Sequence, residues 1–371
     1  VPLTELPSRN RRASPLARGA LLAYTVLIAA ASLAPWSGWR DLGLSPWAFL
    51  SAPAPRHITN FDLIVNVAGY VPFGALVVLA LHPRLRGIAA LAASGVAALL
   101  LAGGIEALQT YLPRRVASNI DLATNVAGAL LGAALALPLA SRLIDRGRLA
   151  QWRERWFTRE SSLLLVVLAL WPAAQTAPAP MLFANGALID APALLARLGL
   201  TGPLRFASEF GAAEFVLAEA LVVVAGLLAA GLALAATMTA AAPRIALLSG
   251  FVAAALAARA LAHAAAFGPE QAFVWLTPGA IGGLALGALA LLVAAHGAAR
   301  AVYVAAWLAA LVWLAAVNIV PDNPYHLDWL ASHRPGRLAH FRAVSNWLAH
   351  GWPLLLLAAL AALPWLRRRR A

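Results

Sequence analysis

Cysteine is absent from all 371 residues. Disulfides, thiolate nucleophiles, iron–sulfur clusters and cysteine-ligated zinc are thereby excluded. Lysine is absent too, so all 28 basic residues are Arg. Charge of either sign is scarce: charged residues make up 12% of the chain, against about 25% in a soluble domain. Hydrophobic residues take 62% and mean hydropathy is +0.78, which excludes both an ordinary soluble domain and a disordered chain. No dinucleotide fingerprint, ATP-binding loop or Gly-x-Ser-x-Gly elbow occurs. The glycines of 279–283 lack the lysine of a phosphate loop and lie inside an apolar run. The histidines and acid of the 321–351 stretch (His326, Asp328, His333, His340, His350) do not fall at a metal spacing such as His-Glu-x-x-His. Neither a cofactor nor a metal is expected.

What the chain has in abundance is apolar runs of spanning length, which need roughly 17–25 residues. About ten segments qualify: 19–34, 63–81, 87–108, 122–140, 161–176, 212–236, 245–266, 277–296, 301–320 and 352–366. The runs are continuous and rich in Ala and Leu, without strict alternation, so they read as helices and not as membrane strands. The fold class is all-α, a polytopic transmembrane bundle. Segment 161–176 is interrupted by Pro172, and a re-entrant course is the alternative to a crossing. Segment 19–34 follows an Arg-rich start and has the look of a signal peptide. Pro35 directly after Ala34 makes cleavage unattractive, so it reads as a retained first helix.

The formal net charge is +13, which in a soluble protein would raise a nucleic-acid partner. Counted on alternate sides of ten spans, 18 Arg fall on the side of the N-terminus and nine on the other, with Arg259 inside a span. Positive residues hold the cytoplasmic ends of helices. The excess is therefore topology, no nucleic-acid partner is expected, and both termini are expected in the cytoplasm.

Three regions follow: an N-terminal membrane unit (1–140), an Arg-rich cytoplasmic linker (141–160) and a C-terminal membrane unit (161–371). In the linker, Trp152 and Trp156 with surrounding Arg suit an interfacial helix under anionic headgroups, or simply a positive-inside loop. Residues 63–140 and 212–296 echo one another as three-helix groups, either as a diverged repeat or by chance. Glu219 and Arg259 are placed for an ion pair, as an interhelical staple or part of a polar pathway. The 321–351 stretch suits an interfacial loop or short helix.

Chemistry concentrates in the first unit. Asp62 and Asn66 are four apart and share a helix face, followed by "GYVPFG" with a kinking Pro72. Glu106 and Gln109 share a face at the end of the next segment, and Arg114 and Arg115 follow in the loop. Ser118 or Asn119 is placed to cap the next helix. Asp121, Asn125, Gly128 and Gly132 then form one stripe, polar at its start and smooth beyond, of the small-xxx-small packing kind. All three polar groups fall on the extracytoplasmic side. Arg114 and Arg115, oriented by Asp121 and Glu106, would meet an anionic headgroup, with Asp62, Asn66, Gln109 and Asn125 around them. Glu106 or Asp121 could equally act as general acid or base. The cluster could also be pure pairing between hairpins, or an oligomer contact through the glycine faces.

The string from Asp62 through "NVAGYVPFG", then "EALQTYLPRRVASNIDLATNVAGALLG" from Glu106, resembles the VanZ-like family over about residues 56–140. Every motif position is filled: Asp62, Asn66, Tyr70, Pro72 and Gly74, then Glu106, Gln109, Arg115, Asp121, Asn125, Gly128 and Gly132. The resemblance implies a multi-pass protein of the bacterial inner membrane. It implies a link to the cell envelope and to low-level tolerance of the glycopeptide teicoplanin, and no settled catalytic activity. The expected partner is a membrane lipid or cell-envelope amphiphile at the outer leaflet. A lipid-processing enzyme and a non-catalytic scaffold or transporter-like bundle are the alternatives.

Overall fold

The structure is a computed structural model that describes residues 14–34, 36–53, 59–113, 115–140, 148–188, 210–320 and 339–368, with Leu143, Asp322 and Ser332. Arg114, His326, Asp328 and His333 lie outside the described residues. The helices, in chain order, are α1 (Pro15–Leu33), α2 (Asn60–Leu81), α3 (Gly87–Gln109), α4 (Asn119–Ala136), α5 (Arg148–Trp156), α6 (Ser162–Ala169), α7 (Trp171–Ala174), α8 (Ala212–Thr237), α9 (Arg244–Phe267), α10 (Pro278–Ala294), α11 (Ala299–Ile319) and α12 (Ala339–Arg368). Hydrocarbon offers the backbone no hydrogen-bond partner, so apolar runs satisfy it internally as helix. Among the described residues the only strand-like feature is an isolated bridge between Phe157 and Met238. Among the described residues, eight helices are long and apolar enough to cross a membrane: α1 to α4, α8, α9, α11 and α12. α10 is apolar but shorter. This is a multi-pass helical membrane protein. The chain forms two compact units, residues 1–154 and 155–371.

In the first unit, polar residues at helix starts supply the caps that the apolar interiors cannot. Thr59 and Asp62 form a capping box on α2, and Ser118 accepts from the amides of Ile120 and Asp121 at the start of α4. α2 then lies directly against α4. A Cβ on Gly128 or Gly132 would run into the backbone of Val67 or Val71, and one on Gly74 into Ala129. The stripe read as close-packing is therefore consumed inside the unit, between helices one turn out of step. α1 and α3 flank this pair, and the buried cluster that joins them includes Ile28, Phe49, Tyr70, Phe73, Leu112 and Leu122.

The second unit is centred in the same manner. Gly279, Gly283 and Gly287 of α10 face Val216, Ala220 and Val224 of α8, again at four-residue steps. Segment 161–176, expected as a span, is not one continuous helix. α6 has 8 residues, about 12 Å of rise, and the chain breaks at Leu170 before the four residues of α7. Pro172 brings no amide to continue the ladder, and Trp171 is held between Phe183, Phe251 and Trp352 at centroid distances of 4.9, 4.9 and 6.0 Å. The broken segment still runs the length of the unit. It starts beside the end of α8, where Thr158 N–H donates to Thr237 O (2.8 Å), and reaches Asn318 near the far end of α11, whose Oδ1 accepts from Leu188 N–H (2.9 Å).

Irregular backbone at this depth is tolerated only where protein satisfies it, and side chains do so here. Arg259, fully buried, donates to the carbonyls of Ala177 (2.6 Å) and Ala179 (2.7 Å). The indoles of Trp313 and Trp352 donate to Phe183 O and Val167 O, and Asn318 donates to Gly186 O. Arg259 thus staples α9 to the broken segment. Of the stretch expected as an interfacial loop or short helix, residues 339–351 are helical, and α12 carries them on through Pro353 into the last apolar segment.

Two outcomes check this packing by thermal unfolding in detergent. Gly132→Ala should destabilise by about 1–3 kcal/mol through overpacking against Val71, whereas Gly104→Ala, with open space around it, should be neutral or better. Arg259→Met should destabilise more than Arg259→Lys, because each buried carbonyl left without a donor costs about 1–3 kcal/mol.

Candidate functional site

The polar residues gather at one end of the first unit, where α2 and α4 begin and α3 ends. Asn66 Nδ2 donates to Asp121 Oδ1 at 2.9 Å, joining α2 to α4. Glu106, only 3% exposed, projects from the last turn of α3 and its Oε2 accepts from the Ser118 amide at 2.8 Å. That bond places the carboxylate at the N-terminus of α4, where the helix dipole favours negative charge. Glu106 lies within electrostatic reach of Asp121, Arg115 and Tyr70, and Asp121 within reach of Asp62. The structure thus brings Asp62, Asn66, Glu106, Arg115 and Asp121 together.

Their roles differ from one another in what is left free. Asp62 is exposed and closes the capping box, its Oδ2 accepting from the Thr59 amide (3.0 Å) and hydroxyl (2.7 Å). Arg115, half-buried, turns toward α1: Nε and Nη2 donate to Ala34 O (3.1 and 2.8 Å), and Nη2 also reaches Ala31 O (3.4 Å). Gln109 donates to Ser32 O at 2.9 Å. The last carbonyls of α1, orphaned by the helix end, are therefore closed by two side chains from the α3–α4 corner. Burial lowers the Arg115 guanidinium from its ordinary value, and the Glu106 carboxylate works against that shift.

Burial increases inward from Asp62, exposed, through Asn66 and Asp121, half-buried, to Glu106, Asn125 and Tyr70, buried. The deepest groups keep unused capacity. Neither Tyr70 Oη nor Asn125 Oδ1 has a hydrogen-bond partner. Buried polar atoms are nearly always paired, so these two stand out among the polar groups at this end of the unit. Tyr24 of α1 also reaches α2, its hydroxyl donating to Gly69 O at 2.8 Å. Sequence reasoning gave Tyr70 a motif position but no role and passed over Tyr24. A phenol within an apolar helix was the available signal, since its hydroxyl needs a partner there.

The VanZ/LLP1 family model matches residues 17–141. Residues 17–141 are a VanZ-like domain. The match reaches back through α1, beyond the motifs at 56–140, and so takes in the helix that Arg115 and Gln109 bond to. The VanZ-like domain is thus a four-helix unit whose polar motif residues gather at one end, while the second unit lies outside the match. No curated protein and no solved structure matches the chain. Among the described residues no group of His, Cys, Asp and Glu has the geometry to hold a metal.

If Arg115 holds the end of α1, Arg115→Ala should lower thermal stability by about 1–3 kcal/mol. Arg115→Lys should recover part of that loss, since an ammonium can reach one carbonyl but not fork across the two of Ala31 and Ala34. The measurement is the unfolding midpoint in detergent.

Proposed function

We propose that this chain is a bacterial inner-membrane protein whose VanZ-like domain binds an amphiphile or lipid headgroup at the outer leaflet. Cell-envelope stability, or tolerance of a glycopeptide antibiotic such as teicoplanin, would be the outward effect. The observation that carries the reading is the inward succession from Asp62 through Asn66 and Asp121 to Glu106, ending on the unpartnered Tyr70 hydroxyl and Asn125 carbonyl oxygen. Ionisable residues at membrane depth are costly and mark function by default.

The chemistry of the free groups narrows the headgroup. With Arg115 and Gln109 committed to α1, what faces inward is mostly acceptor: two carboxylates, an amide oxygen and one phenol. Such a set suits a headgroup that donates hydrogen bonds, an amine or a polyhydroxyl group, better than a bare phosphate. Glu106, Asp121, Asn66, Asn125 and Tyr70 would make the contacts. A lipid-processing reaction is the second reading. It is favoured by both carboxylates standing at the start of α4, Glu106 on the Ser118 amide and Asp121 on Asn66, groups of the kind that transfer protons.

Glu106→Gln keeps an acceptor for the Ser118 amide while removing the charge, so it should reach the membrane in normal amounts. In a host whose teicoplanin or detergent tolerance depends on this chain, the variant should lose that tolerance, as should Asp121→Asn. Full tolerance in both variants at equal abundance would overturn the reading.

A further inference from the structure

The connection between α1 and α2 carries a surface that neither the bundle nor the polar cluster uses. Within residues 36–53, Trp36, Trp39, Leu42, Leu44, Trp47 and Leu50 each leave between 40% and 58% of their surface uncovered. Large exposed apolar patches on a protein mark an interaction site. This one is not a loose strand of chain. Phe49 turns the other way and is buried in the core with Leu112 and Leu122. The Arg40 amide donates to Tyr111 O (3.0 Å), and Asn119 Nδ2 to Ala52 O (2.9 Å), fixing the segment to the α3–α4 corner. Trp36 sits at φ +61°, a left-handed conformation that a bulky side chain rarely adopts, with its indole donating to Ala30 O at 3.1 Å. Asp41 Oδ1 closes a turn on the Gly43 amide at 2.8 Å.

What covers this surface follows from where it is anchored. α1 has 19 residues, close to the roughly 30 Å of hydrocarbon a spanning helix must cross, so the segment that follows Leu33 leaves the bilayer at its boundary. Tryptophan is enriched at that boundary because it presents an apolar ring and one polar N–H. The only charges in 36–53 are Arg40 and Asp41, one of each sign. An acidic or basic protein partner therefore has nothing to read.

We infer that residues 36–50 form an in-plane platform inserted into the lipid headgroup and upper acyl region at the Glu106 end of the VanZ-like domain, with the bilayer itself as its partner. Its bonds to Tyr111 and Asn119 hold the membrane surface level with the α3–α4 corner, so that Glu106 and Asp121 lie just beneath the headgroups. The inference stands whether or not the cluster binds a headgroup.

Because the chain has no cysteine, one introduced thiol can be labelled without background. Leu44→Cys and Trp47→Cys, both at exposed positions, are labelled with a nitroxide and reconstituted in phosphatidylcholine vesicles. Their collision rates with oxygen and with a water-soluble nickel complex report depth. The expected result is a several-fold excess of oxygen over nickel collisions at both sites, unchanged when anionic phosphatidylglycerol is added. Nickel accessibility equal to that of a free label in buffer would overturn the inference. So would insertion that appears only with anionic lipid, or dipolar broadening that shows a second copy packed on the patch.

Discussion

α2 and α4 lie so close that Gly74, Gly128 and Gly132 each occupy a place where a Cβ would meet the facing backbone. The rest of the VanZ-like domain depends on that approach. In a membrane there is little hydrophobic force to draw helices together, and close backbone packing takes its place. Two helices held this way set their polar starts side by side, which is why Asn66 can reach Asp121 and why the Ser118 amide is free to meet Glu106 from α3. The packing is apolar and the consequence is polar.

The same need to satisfy backbone groups away from water explains the features that look irregular. Arg115 and Gln109 close the carbonyl end of α1, and Arg259, Trp313, Trp352 and Asn318 close the carbonyls of the broken segment in the second unit. Each of these polar side chains is costly in an apolar surrounding and each spares a backbone group a comparable cost. Arg259 read from its position alone is an intramembrane charge in search of an acid. Its donors in fact meet two carbonyls.

Much of the first unit was legible because its signals are local. Asp62 and Asn66 on one turn, Ser118 before α4 and the four-residue glycine steps are spacings that helix geometry converts directly into faces and caps. The helical class and most spans followed from uninterrupted apolar runs. What could not be read were bonds from side chains to distant carbonyls, since a carbonyl carries no residue identity. Arg115 bonds to residues 81 and 84 positions away, and nothing in "PRRV" distinguishes that from a headgroup contact. The break at Leu170 was signalled by Pro172, but its extended continuation depends on Trp313 and Asn318, more than a hundred residues later. Likewise, α12 starts at Ala339 and continues through Pro353, whereas the apolar run read from the sequence begins only at Trp352.

The central claim is that the inward-facing acceptors of the VanZ-like domain select a headgroup able to donate hydrogen bonds. Native mass spectrometry of the detergent-solubilised chain tests it directly, with equal amounts of phosphatidylethanolamine and phosphatidylcholine offered together. The two differ in whether the headgroup nitrogen carries hydrogens. The account expects ethanolamine lipid to be retained preferentially by the native chain and that preference to vanish in Glu106→Gln. Equal retention of both lipids by the native chain, or a preference unaffected by Glu106→Gln, would contradict it.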